Sequence, residues 1–175
     1  EDRLAIHLQD GCPGKGLMDF PTLFTRLEAA KLLALTRAGA LGVERVNQHF
    51  HTLRARDARA RYTLGEPVMV HHNDYVRGLF NGDAGVVLAG RFDFERSARR
   101  LVLFRRDDGF IGFPLSAIED GLELAYAITV HKAQGSEFDG VLLVLPEREF
   151  HHPVARAVVG IVATHPSLGF VADAA

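Results

Sequence analysis

The chain has 175 residues, 47% of them apolar and 24% charged, with a formal net charge of −2. That composition excludes a disordered tail and a uniformly basic nucleic-acid coat, and a chain of this length buries roughly 70% of its unfolded surface without staples. The one cysteine, Cys12, excludes an intrachain disulfide, and no apolar run approaches the roughly 18 residues of a membrane span, so a cytoplasmic protein with no membrane partner is expected.

Residues 1–20 contain GCPGKG and show weak periodicity, which reads as a loop or ragged end. Pro21 suits a first helical turn, and Leu23, Phe24, Leu27 and Ala30 outline a short amphipathic helix. KLLALT (31–36) reads as a buried strand that AGALG breaks. Val43, Val46, Phe50 and Leu53 then recur at helical spacing, which predicts a helix from 43 to about 58. From Tyr62 to about Gly121 the texture changes to short β-like runs, PVMVHH, AGVVLAG, RLVLFRR and FIGFPLSAI, with turns at Asn81-Gly82 and Asp108-Gly109. In PVMVHH, Val68 and Val70 share one face and Met69 and His71 the other. These runs predict a small antiparallel β-barrel, whose closure removes exposed edges. ELAYAI then reads as a strand, and GVLLVLP as a parallel strand buried on both faces. The expected organisation is an α/β layer over 1–61, an inserted barrel over 62–121, and the same α/β layer resumed over 122–175.

TVHKAQGSEFDGV, residues 129–141, crowds polar groups between two apolar runs. Thr129 and His131 carry donors for phosphate oxygens. Gly135 allows close backbone approach, and Glu137 is an acceptor suited to a sugar hydroxyl. Loops leaving the strands of an α/β sheet are where ligands bind. A polar turn that merely satisfies its own backbone is the plainer alternative.

The ordered string AITVHKAQGSEFDGV resembles motif V of superfamily 1 helicases, most closely the RecD-type alpha subunit of exodeoxyribonuclease V. KLLALTRAGALGVERVN is similar to that family's motif IV strand and following helix. GEPVMVHHNDYVRGLFNGDAGVV is similar to the start of its inserted Src-homology-type barrel. The resemblance implies a partial RecA-like parallel sheet, namely the second RecA-like domain of an ATP-dependent 5′-to-3′ DNA helicase. It implies that Thr129 and His131 touch single-stranded DNA phosphates, with Lys132 beside them. It puts Gly135 and Glu137 toward the nucleotide, makes Gln134 a link between the two sites, and turns Arg37 toward the γ-phosphate. In the barrel, Asn73 and Tyr75 become candidates for a DNA-facing loop, with Tyr75 and Phe80 able to stack on bases.

The partner machinery is missing from the sequence. A phosphate loop needs G-x-x-x-x-G-K-[ST]. Around Gly14-Lys15 the first glycine position is Gln9 and the hydroxyl position is Gly16. No Asp-Glu pair follows an apolar strand. ATP and magnesium are therefore expected to belong to the intact enzyme, with neither bound tightly by this chain and no ATP turnover by it alone. The N-terminal RecA-like half and other exodeoxyribonuclease V subunits are the expected protein partners. Where the family carries an arginine finger, PVARAVVGIVATHPS offers Thr164 and then His165, and histidine lacks the bidentate fork. His71-His72 and His151-His152 make poor chelates alone, so no metal site is expected. The rival function is a non-catalytic nucleic-acid- or protein-binding module built around the barrel.

Overall fold

The computed structural model describes residues 6–8, 20–55, 59–92, 96–107, 109–136 and 138–145. The chain divides into two compact units, one of Glu1–Thr25 with Asn47–Tyr126 and one of Arg26–Val46 with Ala127–Ala175. In chain order the elements are β1 (Ile6–Leu8), α1 (Phe20–Ala29), β2 (Ala30–Ala34), α2 (Val43–Arg54), β3 (Pro67–Val70), β4 (Ala84–Phe92), β5 (Arg99–Arg106), β6 (Gly109–Pro114), α3 (Leu115–Ile118), a 3-10 turn (Glu119–Gly121), β7 (Leu122–Leu124), β8 (Ala127–Thr129) and β9 (Gly140–Val144).

The first unit is built on an antiparallel sheet ordered β6-β5-β4-β3-β7, with β1 added to the far end of β4. Ile6–Leu8 thus forms a strand where the sequence reads as loop. The end strands β6 and β7 do not pair with each other, so the expected closed Src-homology-type barrel is corrected to an open six-stranded sheet among the described residues. Its core is Tyr62, Val68, Val70, Leu79, Val87, Val102, Phe104, Leu115, Ile118 and Leu122. Those strand residues share one face by register, Val87 opposite Val102 and Val68 opposite Leu124.

The other face is covered too. Met69, Val86, Leu88, Leu101 and Leu103 are all buried, so β3 is not the half-buried strand its alternation suggests. Part of the cover comes from α1. Phe20 and Phe24 pack on Phe110 with ring centroids 5.4 and 5.3 Å away, and the register sets Phe110 on the face of Leu103. FIGFPLSAI is not one strand. The chain turns into α3 after Pro114, where Leu115 and Ile118 take helical spacing and both are buried.

The second unit holds a three-stranded parallel sheet ordered β8-β2-β9. KLLALT supplies its central strand, paired Ala34 to Thr129 on one side and Ala34 to Val144 on the other. ELAYAI splits between the sheets: β7 closes the antiparallel path and β8 begins the parallel one. The helix expected over 43–58 is α2, which ends at Arg54. Among the described residues no helix is long and apolar enough to cross a membrane.

Candidate functional site

In the parallel sheet, β2 and β8 run side by side and end together, Ala34 opposite Thr129. The chain leaving that carboxyl edge is where a parallel sheet offers ligands its loops. From β8 it forms a single helix-like turn. The Ala133 N–H donates to the carbonyls of Thr129 and Val130, both at 3.1 Å, and the Ser136 N–H donates to the Ala133 carbonyl at 3.0 Å. The Thr129 hydroxyl oxygen accepts the Lys132 N–H at 3.2 Å, as a helix N-cap does. That bond uses an acceptor lone pair and leaves the hydroxyl hydrogen for another partner.

Burial fixes which way this turn faces. Val130 and Ala133, three apart, are 1% and 6% exposed and anchor it below. His131, Gln134, Gly135 and Ser136 are exposed, and Lys132 is half-buried and already engaged in an interaction. Gly135 closes the turn at φ +83°, where a β-carbon is strained although nothing lies within 4 Å of its position. The glycine is therefore needed for its backbone conformation, and the open space above it admits a ligand to the main chain.

Arg37 lies three residues beyond Ala34. Its Nε donates to Glu44 Oε1 at 3.0 Å, and both side chains are more than half exposed. The backbone around it caps α2, since Val43 N–H donates to the Thr36 carbonyl and Glu44 N–H to the Arg37 carbonyl, both at 3.0 Å. An exposed ion pair of this kind is worth about 0–1 kcal/mol. The structure therefore gathers Thr129, His131, Lys132, Gln134 and Gly135 into one turn and sets Arg37 at the end of the adjoining strand. Glu137 lies outside the described residues, as do Thr164 and His165 of the tail.

Asn73 and Tyr75 belong to the antiparallel unit, on the loop after β3 that an Asp74–Leu79 bridge pinches closed. Asn73 is occupied at both ends: Oδ1 accepts the Asn81 N–H at 2.8 Å and Nδ2 donates to the Tyr75 hydroxyl at 3.1 Å. Tyr75 is 78% exposed, Val76 94% and Phe80 49%, and the Tyr75 and Phe80 rings meet edge to face at 6.2 Å. The Arg77 guanidinium bonded to Asp74 holds that carboxyl below the usual range. His71 and His72 follow the end of β3, and their rings approach to 3.7 Å instead of pointing apart. Among the described residues no group of three or more potential ligands gathers for a metal.

Sequence reasoning missed one polar cluster. Glu66, 0% exposed, takes Nδ1 of His51 at 2.8 Å and the Tyr126 hydroxyl at 3.2 Å on Oε1, and the Thr63 N–H at 2.6 Å on Oε2. Next to it Asn47 Nδ2 donates to the Leu124 carbonyl at 2.7 Å, and Phe50 stacks on Tyr126 at 5.3 Å. His51 and Tyr126 lie 15 and 60 residues from Glu66 along the chain, and no local pattern joins them to it.

Comparison with known proteins adds a family. Residues 124–157, which include β8, the turn and β9, match the UvrD-like helicase C-terminal domain. The ATP-dependent RecD2 DNA helicase of Deinococcus radiodurans is 36% identical over 132 residues, covering 72% of this chain and 17% of that protein. The RecBCD enzyme subunit RecD of Mycolicibacterium smegmatis is 32% identical over 127 residues, covering 70% of this chain and 21% of that protein. The corresponding RecD subunit of Haemophilus influenzae is 28% identical over 169 residues, 91% of this chain and 24% of that protein. The chain thus spans no more than a quarter of the length of these relatives. Among solved structures, the Pif1 helicase from Bacteroides in complex with ADP-AlF3 and ssDNA aligns at 19% identity and a TM-score of 0.37, over 67% of this chain and 35% of that one.

Proposed function

Because this chain is the C-terminal region of a RecD-type helicase, we propose that its parallel sheet forms one wall of an ATP cleft and that the turn after β8 grips single-stranded DNA. The observation that carries the reading is the turn itself. It projects from the carboxyl edge of adjacent parallel strands, is held by its own backbone, and presents donors to solvent above a glycine at φ +83°.

In this reading Thr129 donates its free hydroxyl hydrogen to a DNA phosphate and His131 donates a ring N–H. Lys132 adds a positive charge behind them. Gly135 brings the main chain close to the nucleotide, with Glu137 at the ribose, Gln134 between the two ligands and Arg37 toward the γ-phosphate. ATP, with magnesium, supplies the free energy for 5′-to-3′ movement in the intact enzyme. The opposite wall belongs to an N-terminal RecA-like half. Because Val130 and Ala133 anchor the turn, a change at its nucleotide end moves its DNA end, provided the two states differ in affinity for each ligand. The tyrosine-bearing loop, with Asn73 and Tyr75, gives the strand a stacking surface. Other subunits of an exodeoxyribonuclease V-like assembly are the natural protein partners, in a cytoplasmic setting.

Fluorescence anisotropy with a labelled oligothymidylate tests the grip. The double variant Thr129→Ala/His131→Ala is expected to weaken binding about tenfold or more, the loss of two bonds to a charged acceptor. Lys132→Ala is expected to flatten the log–log salt dependence by about 0.7, one single-strand phosphate contact. Unchanged affinity in both, with binding abolished by Asn73→Ala/Tyr75→Ala, would instead establish a binding module centred on the antiparallel sheet.

A further inference from the structure

The antiparallel unit holds a pocket of about 230 Å³. Its floor is apolar: Val70, Leu79, Ile118 and Leu122 are each no more than 7% exposed. Its walls are the loop after β3, with His72, Asp74 and Arg77, and the α3–3-10 segment, with Ser116, Glu119 and Asp120. Both walls are fixed by main-chain bonds, His71 N–H to the Gly121 carbonyl at 2.9 Å and Asp74 N–H to the Leu79 carbonyl at 2.7 Å. The pocket is therefore formed before anything enters it.

Its charge is lopsided. Three carboxylates line it against one guanidinium. Asp74 pairs with Arg77, and Asp120 pairs with Arg61 outside the lining. Glu119 has no ion-pair partner among the described residues. With the other two carboxylates paired, Glu119 leaves the rim one uncompensated negative charge, which favours a cationic guest over a phosphodiester. The volume falls below the roughly 300–1,000 Å³ of a whole small-molecule site and suits a single side chain.

The geometry points to a docking pocket for one arginine of a protein partner, whose methylene stem lies on Leu79 and Ile118 and whose guanidinium meets Glu119. An arginine buries an apolar stem and keeps its charged head at the rim, and its planar fork matches a carboxylate as an ammonium does not. Tyr75, Val76 and Phe80 do not line this pocket, although Asp74 and Arg77 of the same loop do, and the arginine contact itself uses no residue assigned to DNA.

The test is a titration of the isotope-labelled chain with the peptide acetyl-Leu-Pro-Arg-Leu-Pro-amide, followed through the backbone amides of Ser116, Glu119 and Gly121. The expected result is saturable shifts in the millimolar range, absent when glutamate replaces the peptide arginine. Glu119→Lys is expected to weaken the arginine peptide about tenfold by reversing the rim charge. Ser116→Trp, at an exposed wall position, is expected to occlude the pocket. Equal shifts from the two peptides, no saturable shift from either, full binding by both variants, or movement of the same amides by oligothymidylate would each overturn the proposal.

Discussion

Glu66→Ala is expected to destabilise the antiparallel unit by about 3–5 kcal/mol, because it removes the carboxylate partner of a buried histidine. His51, 6% exposed, loses the partner of its Nδ1, the Thr63 N–H loses its carboxylate oxygen, and the half-buried Tyr126 hydroxyl loses its acceptor. Thermal unfolding should fall by roughly 6–20 °C for a chain of this size. Glu66→Gln should cost less, because it keeps an acceptor but turns an amide hydrogen toward either His51 or Thr63.

Tyr126 gives an independent readout. Burial first, and then the Glu66 carboxylate beside it, hold its phenol well above the ordinary tyrosine range. The folded state therefore keeps a proton that the unfolded chain releases near pH 10. This contribution to stability is complete below that pH and is lost as pH rises toward the folded value. In Glu66→Gln the carboxylate is gone and burial remains, so absorbance titration should show Tyr126 ionising at lower pH than in the parent, yet still above a free tyrosine. An unshifted titration would show that the hydroxyl does not face Glu66.

Gly42→Ala is the second large effect, at about 1–3 kcal/mol. A β-carbon there would stand 2.5 Å from the Ala38 carbonyl oxygen and 2.7 Å from that of Arg37, and both obstacles are main chain. The Arg37 carbonyl also caps the Glu44 N–H, so the connection must yield at the start of α2 and at the site together. Gly121, with nothing within 4 Å of its position, is the matching control, and Gly121→Ala should be close to neutral. Equal stability of the two variants in urea melts would contradict this account.

What the sequence revealed follows the range of the forces involved. KLLALT, the helix over α2 and the turn ending at Gly135 were legible because strand, helix and turn signals act within a few residues. ELAYAI was not separable, since an apolar run carries no mark for the point where it leaves one sheet for another. Barrel closure was not legible either. It depends on whether β6 meets β7, and the strand signals are the same whether or not the edges join. Of the site, the polar turn was visible as a cluster, but its orientation came only from the burial of Val130 and Ala133. Glu66 carries no local mark of its role, because His51 of α2 and Tyr126 reach it only when the chain is folded.

The most direct measurement is the backbone amide spectrum of the labelled chain titrated with oligothymidylate. The account predicts that the amides of His131, Lys132, Gln134 and Gly135 move in step with strand binding and stop at its saturation. Binding that leaves those amides in place would contradict it.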